Sequence, residues 1–356
     1  MTESINTNQI KPRMKWVDNA KGIAMFSVIL GHCLEYINSD MGCSLLLLPI
    51  VYSFSVPLFF MVSGYFHKSE NVGFWKYVLK KAKSILIPYA TFMVICLLVS
   101  AIRIYVFKTE LETTLFQGFL NIVIQRHYNM LWFLAVLFLT EIISYFLLYK
   151  KNYILIFVAI AVSVLTAFLL RRYNLLYLPW SIDIVPFAFI FYAVGFAVRD
   201  SEEKVFFKWL SPIYLTVGVA LTLINLKITP GLRYVNMYKS NYGFLPLYFL
   251  GGIAMSFGIL CICKWIEKGR LLSYIGKNSL LFYGFHLFVL TFLMHFIRKI
   301  SIASYPVYLA TVVGTLIIIT AVVSIVPLVI NNTPLCVLFG KPYKKKNQNS
   351  LQRGCR

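Results

Sequence analysis

The chain alternates between long apolar runs and short basic segments. Ten of these runs approach the length of about 20 residues that a helix needs to cross a bilayer. They lie at 19–38, 43–66, 84–107, 130–149, 153–170, 181–198, 209–227, 244–265, 279–297 and 306–330. Because backbone groups in lipid must be satisfied within the spanning segment, such runs predict helices. The pattern therefore predicts an all-α, polytopic transmembrane bundle of about ten spans, and the connection at 108–129 is long enough to hold a short amphipathic helix.

Composition agrees with this pattern and excludes an ordinary soluble domain. Hydrophobic residues make up 59% of the chain and charged residues 13%, against roughly 45–50% and 25% in soluble domains. The seven cysteines include no CxxC pair, so neither a zinc site nor a disulfide framework is indicated, and no metal is expected. We expect residues 1–335 to form one transmembrane domain and residues 336–356 to form a basic cytoplasmic tail.

The net charge of +21 is explained by membrane topology rather than by nucleic acid. The basic residues lie between the apolar runs, and cytoplasmic loops of membrane proteins carry an excess of Lys and Arg. With the N-terminus inside, 24 of the 34 basic residues fall on the cytoplasmic side. This bias predicts that both termini are cytoplasmic, that the number of spans is even, and that the partners include membrane lipids but no nucleic acid.

The first span carries ionisable side chains, which cost a few kcal/mol each in lipid and are functional candidates by default. Lys21 and His32 are eleven residues apart, so they share one helix face at a separation of about 16 Å. Asp18 and Glu35 lie one turn beyond either end of this pair and extend the stripe. A simpler explanation is open for each: Lys21 can snorkel at a helix end, and His32 can bridge two helices.

Several motifs of the chain resemble those of the acyltransferase-3 family of integral membrane O-acyltransferases, especially the branch that acetylates sugars of bacterial surface polysaccharides. The family's first helix carries Asp-x-x-Arg/Lys followed by ten residues and a His, which matches Asp18, Lys21 and His32. The lysine in place of arginine is typical of the fucose-acetylase-like branch. Four further blocks match in order: FSVPLFFMVSGYF with Ser63, Gly64 and Tyr65, KKAKSILIPY at 80–89, LWFLAVLF at 131–138 and IGKNSLLFYGFH at 275–286.

The resemblance implies transfer of an acetyl group from cytoplasmic acetyl-CoA to a hydroxyl of a surface or lipid-linked glycan, in the bacterial cytoplasmic membrane. In this interpretation His32 is the general base, because imidazole suits proton transfer near pH 7. Glu35 orients its ring, and Asp18 belongs to the same catalytic motif. The phosphates of coenzyme A would be held by lysines, namely Lys21, Lys76, Lys80, Lys81 and Lys83. The same lysines are also explained as a positive-inside signal alone.

Other polar or aromatic residues within or beside the spans are weaker candidates, each with a structural alternative. His286, Asn278 and Ser279 could serve only core hydrogen bonds, Trp132 could belong to an interfacial aromatic belt, and Glu141 could pair with another helix. Asp183 suits sugar binding or an interfacial belt, and Ser63 and Gly64 could permit close packing. Tyr65, beside them, is a further candidate. His67, His127 and His295 are expected to be peripheral.

Two other functional classes stay open at this point. A glycan or lipid exporter of the same family is the main alternative, although no paired, interrupted helices of a transporter are seen in the two halves. A structural protein of an assembly complex would leave the charges of the first span without a purpose.

Overall fold

Each predicted span coincides with a helix in the computed structural model, which describes residues 14–68, 72–107, 120, 124, 131–175, 178–266 and 269–343. No β-strand forms within these ranges. The α-helices are α1 (Lys15–Ser44), α2 (Leu47–Tyr65), α3 (Phe74–Lys81), α4 (Ile87–Phe107), α5 (Trp132–Leu147), α6 (Tyr153–Arg172), α7 (Val185–Ala197), α8 (Glu202–Val205), α9 (Ser211–Ile228), α10 (Leu245–Trp265), α11 (Arg270–Lys277), α12 (Ser279–Ile297) and α13 (Tyr305–Ile330). Short 3₁₀ turns lie at 149–151, 179–184, 198–201, 208–210 and 334–339.

The predicted all-α, polytopic bundle is confirmed. Within the described residues, nine helical segments are long and apolar enough to cross a membrane, and α5, at 16 residues, is a shorter apolar helix at the fourth predicted position. The helix suggested for 108–129 falls almost wholly outside the described residues. The predicted tail begins as packed structure, because Cys336 and Phe339 are buried and the Leu338 carbonyl accepts a hydrogen bond from Thr91 at 2.8 Å.

Helix α1 is the central element of the bundle, with buried residues along most of its length. Its backbone is interrupted at Asn38, whose φ of −164° and ψ of 99° are extended rather than helical. The Asn38 side chain accepts hydrogen bonds from the backbone N–H groups of Asp40 and Met41 at 3.1 and 3.2 Å. It therefore acts as an N-cap for a last short turn, which ends the long straight part of α1 just after Glu35.

Glycines allow the helices around α1 to approach closely. A Cβ at Gly64 of α2 would overlap the Tyr192 carbonyl of α7, and a Cβ at Gly195 would overlap the Met61 carbonyl of α2. A Cβ at Gly276 of α11 would likewise overlap the Asp18 carbonyl of α1. These contacts bring backbone against backbone, as small residues do in membrane bundles. The packing alternative for Gly64 is thus what the structure shows.

Helices α3 and α4 are continuous through a π-helical turn at 82–86. Such a turn rotates the residues that follow it relative to an uninterrupted α-helix. The basic stretch of α3 therefore lies immediately before a change in helical phase. Lys76, Lys80 and Lys83 are exposed, whereas Tyr77 is fully buried and Lys81 is partly buried.

The connection between α9 and α10, which we call the 229–244 loop, folds over the end of the bundle at which α1 ends. It contains left-handed residues at Gly231, Ser240 and Gly243 and a single antiparallel bridge between Asn236 and Asn241. Its attachment is largely through side chains, as described below. We call this end of the bundle the loop end and the other, where α1 begins, the start end.

Candidate active site

The predicted stripe of α1 ends in a polar cluster at the loop end. His32 lies between Tyr52 of α2 and His286 of α12, and its ring centroid is 5.4 Å from that of His286. The His32 side chain keeps 26% of its surface exposed. Its ring is thus embedded in the bundle while one part of it stays accessible.

Tyr52 connects His32 to Glu35. The tyrosine hydroxyl donates to Oε2 of Glu35 at 2.5 Å and lies 3.4 Å from Nδ1 of His32. Because the hydroxyl proton is directed to the carboxylate, the hydroxyl oxygen is free to accept a hydrogen bond from Nδ1–H. This arrangement favours the tautomer in which Nε2 of His32 carries the lone pair.

Glycine at position 31 makes room for this tyrosine. A Cβ at Gly31 would lie 2.5 Å from Cε1 of Tyr52. The ring can lie flat against α1 only because that Cβ is missing, so Gly31 determines where the hydroxyl of Tyr52 stands. Glu35 is 3.9 Å from Nδ1 of His32, which is too long for a direct hydrogen bond. The carboxylate therefore orients the imidazole through Tyr52.

The other oxygen of Glu35 is held by the 229–244 loop. Oε1 accepts hydrogen bonds from Lys239 Nζ at 2.8 Å and from the Tyr234 hydroxyl at 2.9 Å. Partial burial opposes the charge on Lys239, but the hydrogen bond and the charge of Glu35 outweigh it and raise the pKa of Lys239. Burial and the Glu35 charge raise the pKa of Tyr234 to about 12. Glu35 is thus an ionised carboxylate with a lysine counter-ion.

His286 completes the cluster from α12. Its side chain is fully buried, and Nδ1 lies 3.0 Å from the Phe282 carbonyl and 2.8 Å from the Tyr283 carbonyl. Nε2 is buried as well and has no hydrogen-bond partner among the described residues. The role of His286 in core hydrogen bonding accounts for one ring nitrogen and leaves the other unexplained.

Two further candidates lie beneath the same loop. Trp132 is only 8% exposed, and its ring lies 5.9 Å from that of Tyr238. It is therefore packed inside the protein and does not join an interfacial belt. Asp183 is also buried and accepts from the Leu178 N–H at 3.1 Å and from Ser240 Oγ at 3.4 Å. Both residues help to seat the loop that holds Glu35.

A second ionisable cluster lies in the other half of the bundle and is centred on Glu141 of α5. Oε1 of Glu141 accepts from Lys81 Nζ at 2.6 Å, and Oε2 accepts from the hydroxyls of Tyr77 and Tyr192, each at 2.6 Å. Nδ1 of His67 is 2.8 Å from the Tyr192 hydroxyl and 3.2 Å from that of Tyr77. The cluster fastens α3 and the end of α2 to α5 and α7, so the helix-pairing alternative describes Glu141.

This cluster corrects the expectation for His67 and separates Lys81 from the other predicted phosphate-binding lysines. His67 was expected to be peripheral, and this is wrong: its side chain is 1% exposed, and its carbonyl accepts from Arg199 at 2.8 Å. His295 is exposed, as expected, and His127 lies outside the described residues. Among the predicted phosphate-binding lysines, Lys81 is engaged by a buried carboxylate.

The remaining predicted residues lie at the start end. Lys21 Nζ is 5.7 Å from the Phe66 ring centroid, and Asp18 is buried against α11. Neither residue contacts the His32 cluster. The polar stripe of α1 therefore forms two separate groups, with Asp18 and Lys21 at the start end and His32 and Glu35 at the loop end. The exposed lysines at 76, 80 and 83 also belong to the start end.

The remaining polar candidates, in α2 and at the start of α12, serve mainly in packing. Ser63 Oγ donates to the Phe59 carbonyl at 2.8 Å, and the Tyr65 hydroxyl donates to Glu202. Asn278 Oδ1 accepts from Asn331 at 3.0 Å and from Lys341 at 3.1 Å. Ser279 begins α12 and is half-buried.

Several residues of the two clusters were missed by the sequence analysis: Tyr52, Tyr234, Lys239, His67, Tyr77 and Tyr192. The chain has 23 tyrosines, and nothing in their spacing marks these four. Lys239 could have been suspected, since it is a basic residue in a loop that the charge bias places outside. Its partner, however, is 204 residues away in the sequence.

Nearly the whole chain matches the sequence model of one known protein family. The acyltransferase-3 family model, described as an acyltransferase domain, matches residues 14–327. This range contains both clusters and every candidate site residue named above. No curated protein and no solved structure matches the chain.

Proposed function

The chain belongs to the acyltransferase-3 family, and from this premise we propose that it is a membrane O-acetyltransferase. It would move the acetyl group of cytoplasmic acetyl-CoA to a hydroxyl of a surface or lipid-linked glycan, in the bacterial cytoplasmic membrane. The family supports acyl transfer by a multi-pass membrane protein. The observation that carries the finer proposal is the partly exposed His32, oriented through Tyr52 by a charge-compensated Glu35.

His32 acts as the general base of the transfer. Nε2 takes the proton from the acceptor hydroxyl as its oxygen attacks the thioester carbonyl carbon. The C–S bond then breaks, and the same nitrogen returns the proton to the sulfur of coenzyme A. Glu35 is ionised and lies 3.9 Å from Nδ1, so it favours the imidazolium that exists between these two steps, as the third member of a catalytic triad does.

The donor approaches from the start end of the bundle. Lys76, Lys80 and Lys83 are exposed there, and lysine binds phosphate as a mobile point charge. Lys21 lies on the same face of α1 as His32 at about 16 Å from it. The pantetheine arm of coenzyme A is long and thin, which suits a thioester that must reach His32 from phosphates held at the rim.

The acceptor is proposed to approach from the loop end. His32 is near that end, and the 229–244 loop brings polar and aromatic residues over it. If both termini are cytoplasmic, as the charge bias predicts, this end faces outward. Transfer to a glycan on that side would then require the thioester of the donor to reach His32 through the interior of the bundle.

The experiment that tests the proposal is mass spectrometry of surface glycans from cells with and without the gene. We expect one acetyl mass per modified sugar to disappear when the gene is removed and to return with the wild-type gene. The His32→Ala gene should not restore it, whereas His295→Ala, which changes an exposed histidine of α12, should. Unchanged glycans on removal of the gene would contradict the proposed function, whereas loss of the whole glycan from the surface would favour export.

A further inference from the structure

Tyr36 is an exposed aromatic side chain on a helix that is otherwise enclosed. Across residues 16–39 of α1, all of which the structure describes, it is the one exposed residue, with 49% of its surface accessible. It follows His32 by about one turn and precedes the break at Asn38 by two residues. Because α1 runs through the centre of the bundle, this exposure opens toward the loop end and not onto a lipid-facing side of the helix.

The Tyr36 ring adjoins the proposed base directly. Its centroid lies 6.0 Å from that of the His32 ring, and the two planes are nearly perpendicular, at 80°. Tyr52 and Glu35 lie on the Nδ1 side of the imidazole, at 3.4 and 3.9 Å. That side is therefore covered, and the 26% of His32 that stays accessible is on the rest of its ring. The accessible parts of Tyr36 and His32 are neighbours on one surface at the loop end.

Tyr36 differs from the other two tyrosines of the site. The hydroxyls of Tyr52 and Tyr234 both donate to Glu35, so the carboxylate explains why they stand where they do. No hydrogen bond to a described residue fixes the hydroxyl of Tyr36, although Glu35 and Lys239 are near enough for their charges to act on it. What Tyr36 presents at the opening is therefore the face of its ring.

An exposed aromatic face beside a base favours an acceptor that has an apolar face of its own. A pyranose ring has such a face, formed by its C–H groups, while its hydroxyls project from the edge of the ring. Tyrosine suits this position, because its ring is apolar and its hydroxyl can stay in water. A sugar in van der Waals contact with the Tyr36 ring, at about 3.5–4.0 Å, has its edge hydroxyls on the side of His32.

We propose that Tyr36 stacks against the pyranose ring whose hydroxyl is acylated, and so determines which acceptor ring is held beside His32. This inference rests on the proposed function and adds a residue to its acceptor site. Tyr36 contacts the acceptor but takes no part in proton transfer. Its contact is made equally before and during the reaction, so its loss should raise the KM for the acceptor and leave kcat unchanged.

The test uses as acceptor the unacetylated glycan extracted from cells that lack the gene. Purified, full-length protein in nanodiscs transfers labelled acetyl from acetyl-CoA, and kcat and the KM for each substrate are measured. Tyr36→Leu keeps an apolar side chain without an aromatic face. We expect it to raise the KM for the glycan about tenfold, the size of one aromatic contact, with no change in the KM for acetyl-CoA. Tyr36→Phe and Tyr36→Trp keep the face and should stay close to wild type.

Tyr305 provides the matched control. It begins α13 at the same end of the bundle, is 46% exposed, and makes no ring contact with His32 within the described part of the chain. Tyr305→Leu should leave all three constants unchanged. Tyr36→Ala is made in parallel with Tyr36→Leu, so that the comparison with Tyr36→Phe does not depend on the folding of one variant.

Three results would overturn the stacking assignment. The first is an unchanged KM for the glycan when the aromatic face of Tyr36 is removed. The second is an equal rise in Tyr305→Leu, which would make both tyrosines interfacial anchors. The third is an equal rise in Tyr36→Phe, which would make the hydroxyl and not the ring the point of contact. Failure of the proposed function is a different result, since wild type would then transfer no acetyl to the extracted glycan.

Discussion

The bundle contains two ionisable clusters of the same composition that differ in their access to solvent. Each has one glutamate, one lysine, two tyrosines and one histidine. In the Glu35 cluster these are Lys239, Tyr52, Tyr234 and His32, and in the Glu141 cluster they are Lys81, Tyr77, Tyr192 and His67. In both, the two tyrosine hydroxyls donate to the carboxylate. Tyr52 also lies at 3.4 Å from Nδ1 of His32, and both Tyr77 and Tyr192 lie within hydrogen-bond distance of Nδ1 of His67.

The Glu35 cluster and the Glu141 cluster differ in burial. His32 is 26% exposed and Lys239 is 54% exposed, whereas His67 is 1% exposed and Glu141 5%. The His67 ring is enclosed by Tyr77, Tyr192 and Phe196. One cluster can meet a substrate and the other cannot. The same set of residues therefore serves as a candidate site where one side is open and as a fastening between helices where all sides are closed.

The largest contrast is expected from replacing the two histidines. His32→Ala should lose transfer by roughly 10²–10⁴-fold, the contribution of a positioned base, while the protein stays monodisperse in detergent. His67→Ala should instead lower the thermal unfolding temperature in detergent, because two buried tyrosine hydroxyls lose a partner. Acetyl transfer and thermal unfolding are measured on both. A folded His32→Ala protein with near-normal turnover would end the catalytic assignment.

The two carboxylates should differ in the same way. Glu141→Ala leaves Lys81 without its counter-ion and should cost about 3–5 kcal/mol of stability, as breaking a buried pair does. Glu35→Ala should cost less stability, because Lys239 can turn to solvent, and should mainly reduce turnover. Denaturant or thermal unfolding in a mild detergent gives the comparison. An equal loss of stability in both variants would contradict the difference in burial.

Lys239 provides a matched pair with Arg233 on the 229–244 loop. Both residues bind carboxylates of α1, but Arg233 pairs with Asp40, beyond the kink of the helix. Lys239→Gln should reduce turnover on the order of tenfold, as for a hydrogen bond to a charged group, and Lys239→Arg should restore it. Arg233→Gln should have little effect. If Lys239→Gln and Arg233→Gln have the same effect on turnover, Lys239 contributes only by attaching the 229–244 loop to α1.

The pH dependence has a defined sign. Glu35 raises the pKa of Lys239 in the folded protein, so the contribution of this pair is fully present below the ordinary lysine pKa. It is lost as the pH rises through the raised value. Wild-type turnover should therefore show an alkaline decline that the Lys239→Gln variant lacks. A decline of the same shape in both would exclude Lys239 as its source.

A smaller effect is expected at the basic stretch of α3. Lys80 and Lys83 are exposed and Lys81 is paired with Glu141. Replacing Lys80 and Lys83 together with glutamine should raise the KM for acetyl-CoA about tenfold with little change in stability. Lys81→Gln should lower stability instead. An unchanged KM in the double variant would leave these lysines as a topology signal.

The sequence was sufficient to predict the spanning helices, because an apolar run of this length has one stable conformation in lipid. It was also sufficient to place His32 and Glu35 close together, since ionisable residues of one helix face can be found by spacing alone. It was not sufficient for Lys239, Tyr52 or His67, because their partners lie on other elements. The same limit explains why Trp132 was expected at a membrane interface, since burial beneath the 229–244 loop is a tertiary property.

The most direct test of the central difference is the reactivity of each histidine with diethyl pyrocarbonate, which modifies accessible neutral imidazole. Peptide mass spectrometry follows each site while acetyl transfer is measured, and the His295→Ala background removes an exposed histidine that would react first. We expect activity to fall in step with modification of His32 while His67 stays unmodified in the folded protein. Modification of His67 at the rate of His32, or loss of activity before His32 reacts, would contradict the account.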